Sequence, residues 1–161
     1  MRKDITIFNV IMPFWMLVFL PSPLWLFLIP ANYLVDYLVL RYSLRKVEGH
    51  RRFCRRYTLP ICLMGFLCDF IGTFPLFVIT EPDSDRLQKI QEAVMLNPFS
   101  HPLGFLVVAS GILLAGIIIF QFDRRILETA GLTSEHARRA ARNLAVLTAP
   151  YLFLLPLEWF S

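Results

Sequence analysis

The chain has 161 residues, of which 57% are hydrophobic and 17% are charged, and its formal net charge at pH 7 is +4. These proportions lie outside the usual range of soluble domains and indicate an integral membrane protein, with the lipid bilayer as its first partner. The positive charge does not indicate a nucleic-acid partner, because basic residues collect in the cytoplasmic loops of membrane proteins for orientation alone.

An N-terminal apolar run extends from residue 5 to residue 40, about twice the length that one membrane crossing needs. Pro21 divides the run into segments of about 5–20 and 24–40, which predicts a hairpin of two short crossings. In the alternative arrangement, the first half lies in the interface or re-enters on one side, and only the second half crosses. Further prolines such as Pro30 favour broken helices in both arrangements, and a broken backbone at membrane depth must be covered by other protein.

Three more apolar segments follow, at about 57–80, 103–122 and 144–160. The basic loops 41–57 and 123–143 contain seven and five of the 16 Lys and Arg residues, so the positive-inside rule places both loops in the cytoplasm. We therefore predict an all-α fold, a polytopic integral membrane helical bundle with four to five transmembrane segments and a Pro-broken N-terminal hairpin or re-entrant segment. The whole chain would form a single transmembrane domain of a multi-pass protein in the plasma membrane.

Local signals predict helix boundaries at two places outside the apolar segments. Apolar residues recur at helical spacing after the capping candidates Asp83 and Ser84, which predicts a short amphipathic helix over about 84–96 on the outer surface. In the second basic loop, Gly131 is typical of a helix end, and Thr133 or Ser134 is typical of the next helix start.

Asp69 lies near the middle of an apolar segment. An ionised carboxylate at the bilayer centre costs about 2.5 to 3.5 kcal/mol even on a lenient insertion scale, so something must compensate it. Gly65, Gly72 and Thr73 share its helical face, which would let another helix approach closely. One interpretation makes Asp69 a proton or cation site, and the other makes it a protonated or hydrogen-bonded group that locks helix packing.

Asn32 and Asp36 form a second polar constellation, because residues four apart share one face of a helix. Asp36 comes only five residues before Arg41, which predicts a hydrated carboxylate at the cytoplasmic boundary with that arginine as its partner. If the two acidic helices adjoin, Asn32 would be closer than Asp36 to the depth of Asp69. The alternative is then a small polar pocket within the membrane.

Small residues recur along one face of the third clear apolar segment. Gly104, Gly111 and Ala115 share this face, and Gly111 and Ala115 form a small-x-x-x-small pattern. We interpret the face as a helix-packing surface, either for another helix of the chain or for a second copy.

The chain contains no H-E-x-x-H, no G-x-S-x-G and no phosphate-binding glycine loop. His50 and Cys54 lie four residues apart, but the arginines around them would oppose a bound cation, so we predict no metal site, no cofactor and no catalytic residues. The leading hypothesis is an accessory or assembly subunit that packs against other membrane helices, with a membrane-protein partner or by self-association. The alternative is a small homo-oligomeric channel or proton-linked carrier that uses Asp69, and an unrecognised membrane enzyme comes third.

Overall fold

A computed structural model describes residues 23, 25–77 and 85–156, and these residues are helical with no strand among them. The predicted segment 5–20 lies outside the described residues, as does the end of the last segment. The helices are α1 (Trp25–Ser43), α2 (His50–Gly72), α3 (Phe74–Phe77), α4 (Asp85–Met95), α5 (Pro102–Thr129) and α6 (Ser134–Leu147), with single 3-10 turns at Pro98–Ser100 and Tyr151–Leu154.

Two stretches are long and apolar enough to cross a membrane, His50–Leu76 and Pro102–Thr129. Large apolar side chains on both stretches point away from the protein, and Leu63 and Leu113 are 59% and 66% exposed. Contiguous apolar surface of this kind is typical of a membrane or protein interface. The fold class is therefore all-α, and its two long apolar helices are consistent with a membrane protein.

Four of the helices form a bundle, in which α1 packs against α2 and α6, and α5 packs against α2 and α6. The basic segments 41–57 and 123–143, which the sequence analysis treats as loops, are largely helical, because α2 already begins at His50 and α6 covers Ser134–Leu147. Each basic segment also carries apolar residues at spacings of three and four that turn into the bundle while the arginines turn outward. The resulting core cluster contains Leu40, Leu44, Cys54, Ile61, Leu127, Ala137, Ala140, Ala141 and Leu144.

The last predicted crossing, 144–160, is not one continuous helix in its described part. α6 ends at Leu147, and Pro150 follows two residues after a bend at Thr148. Proline has no backbone N–H and disfavours the helical conformation of the residue before it, which favours the end of α6 before Pro150. Only one 3-10 turn forms between Pro150 and Pro156. α1 and α2, in contrast, continue through Pro30 and Pro60, so the broken helix expected at Pro30 does not form.

The local boundary signals agree with the structure. α4 covers Asp85–Met95, where the sequence predicts the amphipathic helix, and its position on the outer surface stays a prediction. α5 ends at Thr129, and Gly131 follows with a φ of 97°, in the left-handed region that favours glycine. Thr133 then occupies the N-cap position of α6 without a side-chain capping hydrogen bond, and the helix begins at Ser134, as predicted.

Candidate functional site

Two of the helices that carry the candidate site, α2 and α5, cross each other closely. A Cβ atom added to Gly72 would lie 2.7 Å from the Ala115 Cβ atom and 2.8 Å from the Gly111 backbone oxygen. Gly104, on the same face of α5, packs against Ala93 of α4 in a similar way. Gly65 does not lie at the close helix contact that the sequence predicts, because a Cβ atom added there would meet nothing within 4 Å. The small residues of α5 therefore pack within the chain, whereas only one end of the small-residue face on α2 does so.

Asp36 of α1 is 3% exposed, so the prediction of a hydrated boundary carboxylate paired with Arg41 is wrong. Five residues on an α-helix rotate the side chain by about 140°, which turns Arg41 to a different face. Asp36 instead shares the buried face of α1 with Leu40. Its carboxyl group lies beside the side chains of Cys62 on α2 and Thr148 after α6.

Asn32 faces the same part of α2 as Asp36 does. Its side-chain Nδ2 lies 3.9 Å from the Cys62 sulfur, so the two polar residues of α1 meet one residue of α2. The Cys62 thiol is free and buried. The constellation of Asn32 and Asp36 is thus an internal contact between α1 and α2.

Asp69 of α2 has one carboxylate oxygen, Oδ1, that is buried and has no hydrogen-bond partner among the described residues. Its side chain lies at the wall of a cavity of about 500 Å³ between α1, α2 and the chain after α6. Asn32 and Thr148 also line this cavity. Asn32 and Asp69 therefore line the same cavity.

Asp123 of α5 is a third carboxylate inside the bundle, and it was not predicted as a site residue, because a charge count assigns it to the basic loop 123–143. The residue is 1% exposed, and its Oδ1 is likewise buried without a hydrogen-bond partner among the described residues. A signal for it exists in the sequence. Ala115, Ile119, Asp123 and Leu127 recur every four residues, so the packing face of α5 continues through the aspartate.

The three carboxylates lie within electrostatic reach of one another through Asp36. The charge of Asp36 acts on both Asp69 and Asp123. Like charges that share a low-dielectric interior cannot all stay ionised without counter-charges. Among the described residues, no group of three or more His, Cys, Asp or Glu side chains is arranged to hold a metal ion.

α6 ends inside the bundle beside Asp36 and the cavity that Asp69 lines. A Cβ atom added to Gly116, at the midpoint of α5, would lie 3.7 Å from the Ala145 backbone oxygen, which places the last turn of α6 at that depth. The residues after α6 that line the cavity are Thr148, Ala149, Pro150, Leu152 and Phe153. The C-terminal end of a helix carries a partial negative charge, so this end of α6 adds to the negative character of the site.

No protein-family model, curated protein or solved structure matches this chain, so the geometry of the site carries the functional argument by itself.

Proposed function

We propose that the chain is a multi-pass membrane protein that takes up and releases protons on buried carboxylates, as a small proton-linked carrier or channel. The observation that carries the proposal is the presence of Asp36, Asp69 and Asp123 on three different helices inside one bundle. On this observation we rank the carrier or channel, which was the alternative hypothesis from the sequence, above the accessory subunit.

The proposed protein has four to five crossings and lies in the plasma membrane. α1, with 19 residues, is about 28 Å long at 1.5 Å per residue, close to the thickness of a hydrocarbon core. α2 with α3 and α5 supply two further crossings. The segments 5–20 and 144–160 would supply the rest, the latter as a Pro-broken segment covered by the bundle.

Two carboxylate oxygens, Oδ1 of Asp69 and Oδ1 of Asp123, are buried and have no hydrogen-bond partner among the described residues. Burying an ionised carboxylate without a partner costs several kcal/mol of folding free energy. A bound proton or cation removes this penalty. The presence of two such groups in an otherwise well-packed bundle supports the proposal that protons bind and leave at these positions.

Asp36 is the group that can connect the other two. It acts electrostatically on both Asp69 and Asp123 and lies beside Cys62 and Thr148, which are side chains that can exchange hydrogen bonds with it. In this proposal, a proton that arrives at one end of the set moves through Asp36. Chains of ionisable residues inside membrane segments are the usual construction of proton relays.

The ending of α6 supports the same proposal. Transporters place their ion sites where a helix stops inside the membrane, because the end of a broken helix offers free backbone carbonyls to a cation. α6 stops beside the midpoint of α5, at Thr148 and Pro150, next to Asp36. Irregular backbone is tolerated at such depth where it is covered by protein or lines a cavity, as it does here.

The test is proton flux into liposomes that contain the purified chain and a pH-sensitive dye, after an imposed pH gradient. We expect Asp69→Asn and Asp123→Asn each to lower the protein-dependent flux by roughly tenfold or more, because an amide cannot bind and release the proton. Glu135→Gln is the charge-matched control, since Glu135 is exposed in the first turn of α6. Wild-type flux in both aspartate variants, with the same amount of folded protein, would overturn the proposal.

The accessory subunit is the second candidate, and the outer face of α2 favours it. Exposed apolar side chains recur on this face at spacings of three and four, from Leu59 through Leu63 and Leu67 to Phe70, which suits a partner helix as well as lipid. Purification from native membranes in mild detergent separates the two candidates. A different protein in stoichiometric amount would favour the accessory subunit, and recovery of this chain alone would favour the carrier or channel.

A further inference from the structure

The cavity beside Asp69 has the volume of a small-molecule site. At about 500 Å³ it falls within the usual range for ligand pockets, roughly 300 to 1,000 Å³. It opens between α1, α2 and the segment after α6, and its wall is mostly apolar. The lining residues that bear on its ligand include Trp25, Ala31, Val35, Phe66, Asp69 and Thr148.

The charged and polar groups at the cavity wall favour some classes of ligand over others. Asp69 is the single ionisable group among the described lining residues, and its Oδ1 has no hydrogen-bond partner among them. The C-terminal end of α6 opens on the same space through Thr148 and Pro150, and it carries a partial negative charge. An anion would be repelled by both features, and a neutral apolar molecule would gain no charge interaction with the Asp69 side chain.

The aromatic residues at the cavity favour a cation with an apolar body. The rings of Trp25 and Phe66 are stacked, with centroids 5.9 Å apart and planes inclined by 16°. Aromatic faces attract cations, and tryptophan does so most strongly. The same rings and the neighbouring Val35 and Phe153 provide apolar surface for a hydrocarbon group.

We propose that this cavity binds a protonated amine with an apolar body, the ammonium group donating a hydrogen bond to the Asp69 carboxylate and the body packing against Trp25 and Phe66. The inference rests on the proposed function and names its substrate class. Binding exchanges one cation for another, because the neutral carboxyl group of Asp69 releases its proton to water as the ammonium takes its place. No bond other than that O–H bond breaks, and the charge of the site is unchanged.

The test uses three matched probes, namely 4-phenylbutylammonium, the neutral 4-phenylbutanol and the anionic 4-phenylbutyrate. Each is titrated calorimetrically into the purified full chain in detergent, in a weak buffer that also reports proton release. We expect the ammonium to bind with release of about one proton, and the alcohol and carboxylate to bind roughly tenfold or more weakly, the factor that a hydrogen bond to a charged group supplies. Asp69→Asn should weaken ammonium binding by a similar factor, and Glu135→Gln should not.

Two further variants keep the test decisive if Asp69→Asn does not fold. Ala31→Leu leaves the carboxylate in place but adds bulk at the cavity wall, and it should weaken the binding of 4-phenylbutylammonium. Trp25 is one of three tryptophans in the chain, so the double variant Trp15→Phe and Trp159→Phe leaves it as the one fluorescent reporter at the cavity. Its emission should change with the ammonium probe in proportion to the calorimetric binding.

The outcomes separate this inference from the proposed function. Proton flux that depends on Asp69, without ammonium binding or with equal binding of all three probes, would refute the amine site and leave the proton function standing. Saturable ammonium binding with displacement of a proton, but without flux in liposomes, would support the site and refute the carrier. Unchanged ammonium binding in both Asp69→Asn and Ala31→Leu would refute the site.

Discussion

The crossing of α2 and α5 makes a quantitative prediction, because the same substitution can be placed at two glycines of one helix. In Gly72→Ala the new Cβ atom would lie 2.7 Å from the Ala115 Cβ atom and 2.8 Å from the Gly111 backbone oxygen, so the helices must move apart. Overpacking of this kind costs about 1 to 3 kcal/mol. In Gly65→Ala the new atom meets nothing within 4 Å, and alanine gains up to about 1 kcal/mol over glycine in a helix.

We therefore expect the free energies of unfolding of the two variants to differ by about 1 to 4 kcal/mol, with Gly72→Ala the less stable. The chain provides its own reporter, since Cys54, Cys62 and Cys68 are free and buried. A thiol-reactive fluorophore would label them only as the bundle opens during heating or detergent denaturation.

Ala115→Gly tests the cause of the effect. Combined with Gly72→Ala, it removes the closest contact but leaves the Gly111 backbone oxygen in place, so we expect partial recovery of stability. If Gly72→Ala opened no earlier than Gly65→Ala, the crossing would not be as close as described and the argument from packing would be refuted.

Two further predictions concern the connections between helices. Gly131→Ala places a Cβ atom at a φ of 97°, so it should lower the free energy of unfolding by about 1 to 2 kcal/mol, measured by the same labelling assay against Gly65→Ala. Ser43→Ala removes the acceptor of a hydrogen bond that the Asn143 side chain donates across α1 and α6 at 2.9 Å, and we expect a loss of about 1 kcal/mol. Asn143→Ala combined with Ser43→Ala should cost less than the sum of the single changes, and strict additivity would show that the bond does not form.

Features set by neighbouring residues could be predicted from the sequence, whereas contacts between helices could not. The end of α5 near Gly131 and the start of α6 after Thr133 follow from local backbone preferences. The meeting of Asn32 with Cys62 depends on which helices adjoin, and periodicity within one helix does not contain that information. Hydropathy fixes only depth along the membrane normal, so it could not show that Asp36 turns into the bundle.

Asp123 is an intermediate case, because helical spacing in the sequence indicates its burial, whereas the charge count assigns it to a loop. A charge count assigns the residue to a basic loop together with Arg124 and Arg125. Helical spacing from Ala115 through Ile119 assigns it to the packing face of α5, and the structure agrees with the spacing. Helix phase should therefore be followed beyond the last apolar residue before a charged run is treated as a loop.

α2 is one continuous helix from its arginines to Asp69, so the distance between these groups along the helix axis is fixed. Arg56 is exposed near the start of the helix, and the 13 residues from there to Asp69 correspond to a rise of about 20 Å. In the proposed carrier, a guanidinium group at the headgroups would prevent α2 from sliding along the membrane normal, since sliding would draw the positive charge into hydrocarbon. Asp69 would then stay at one depth in the carrier, and its access to either side of the membrane would change through motion of α1 or of the irregular segment after α6.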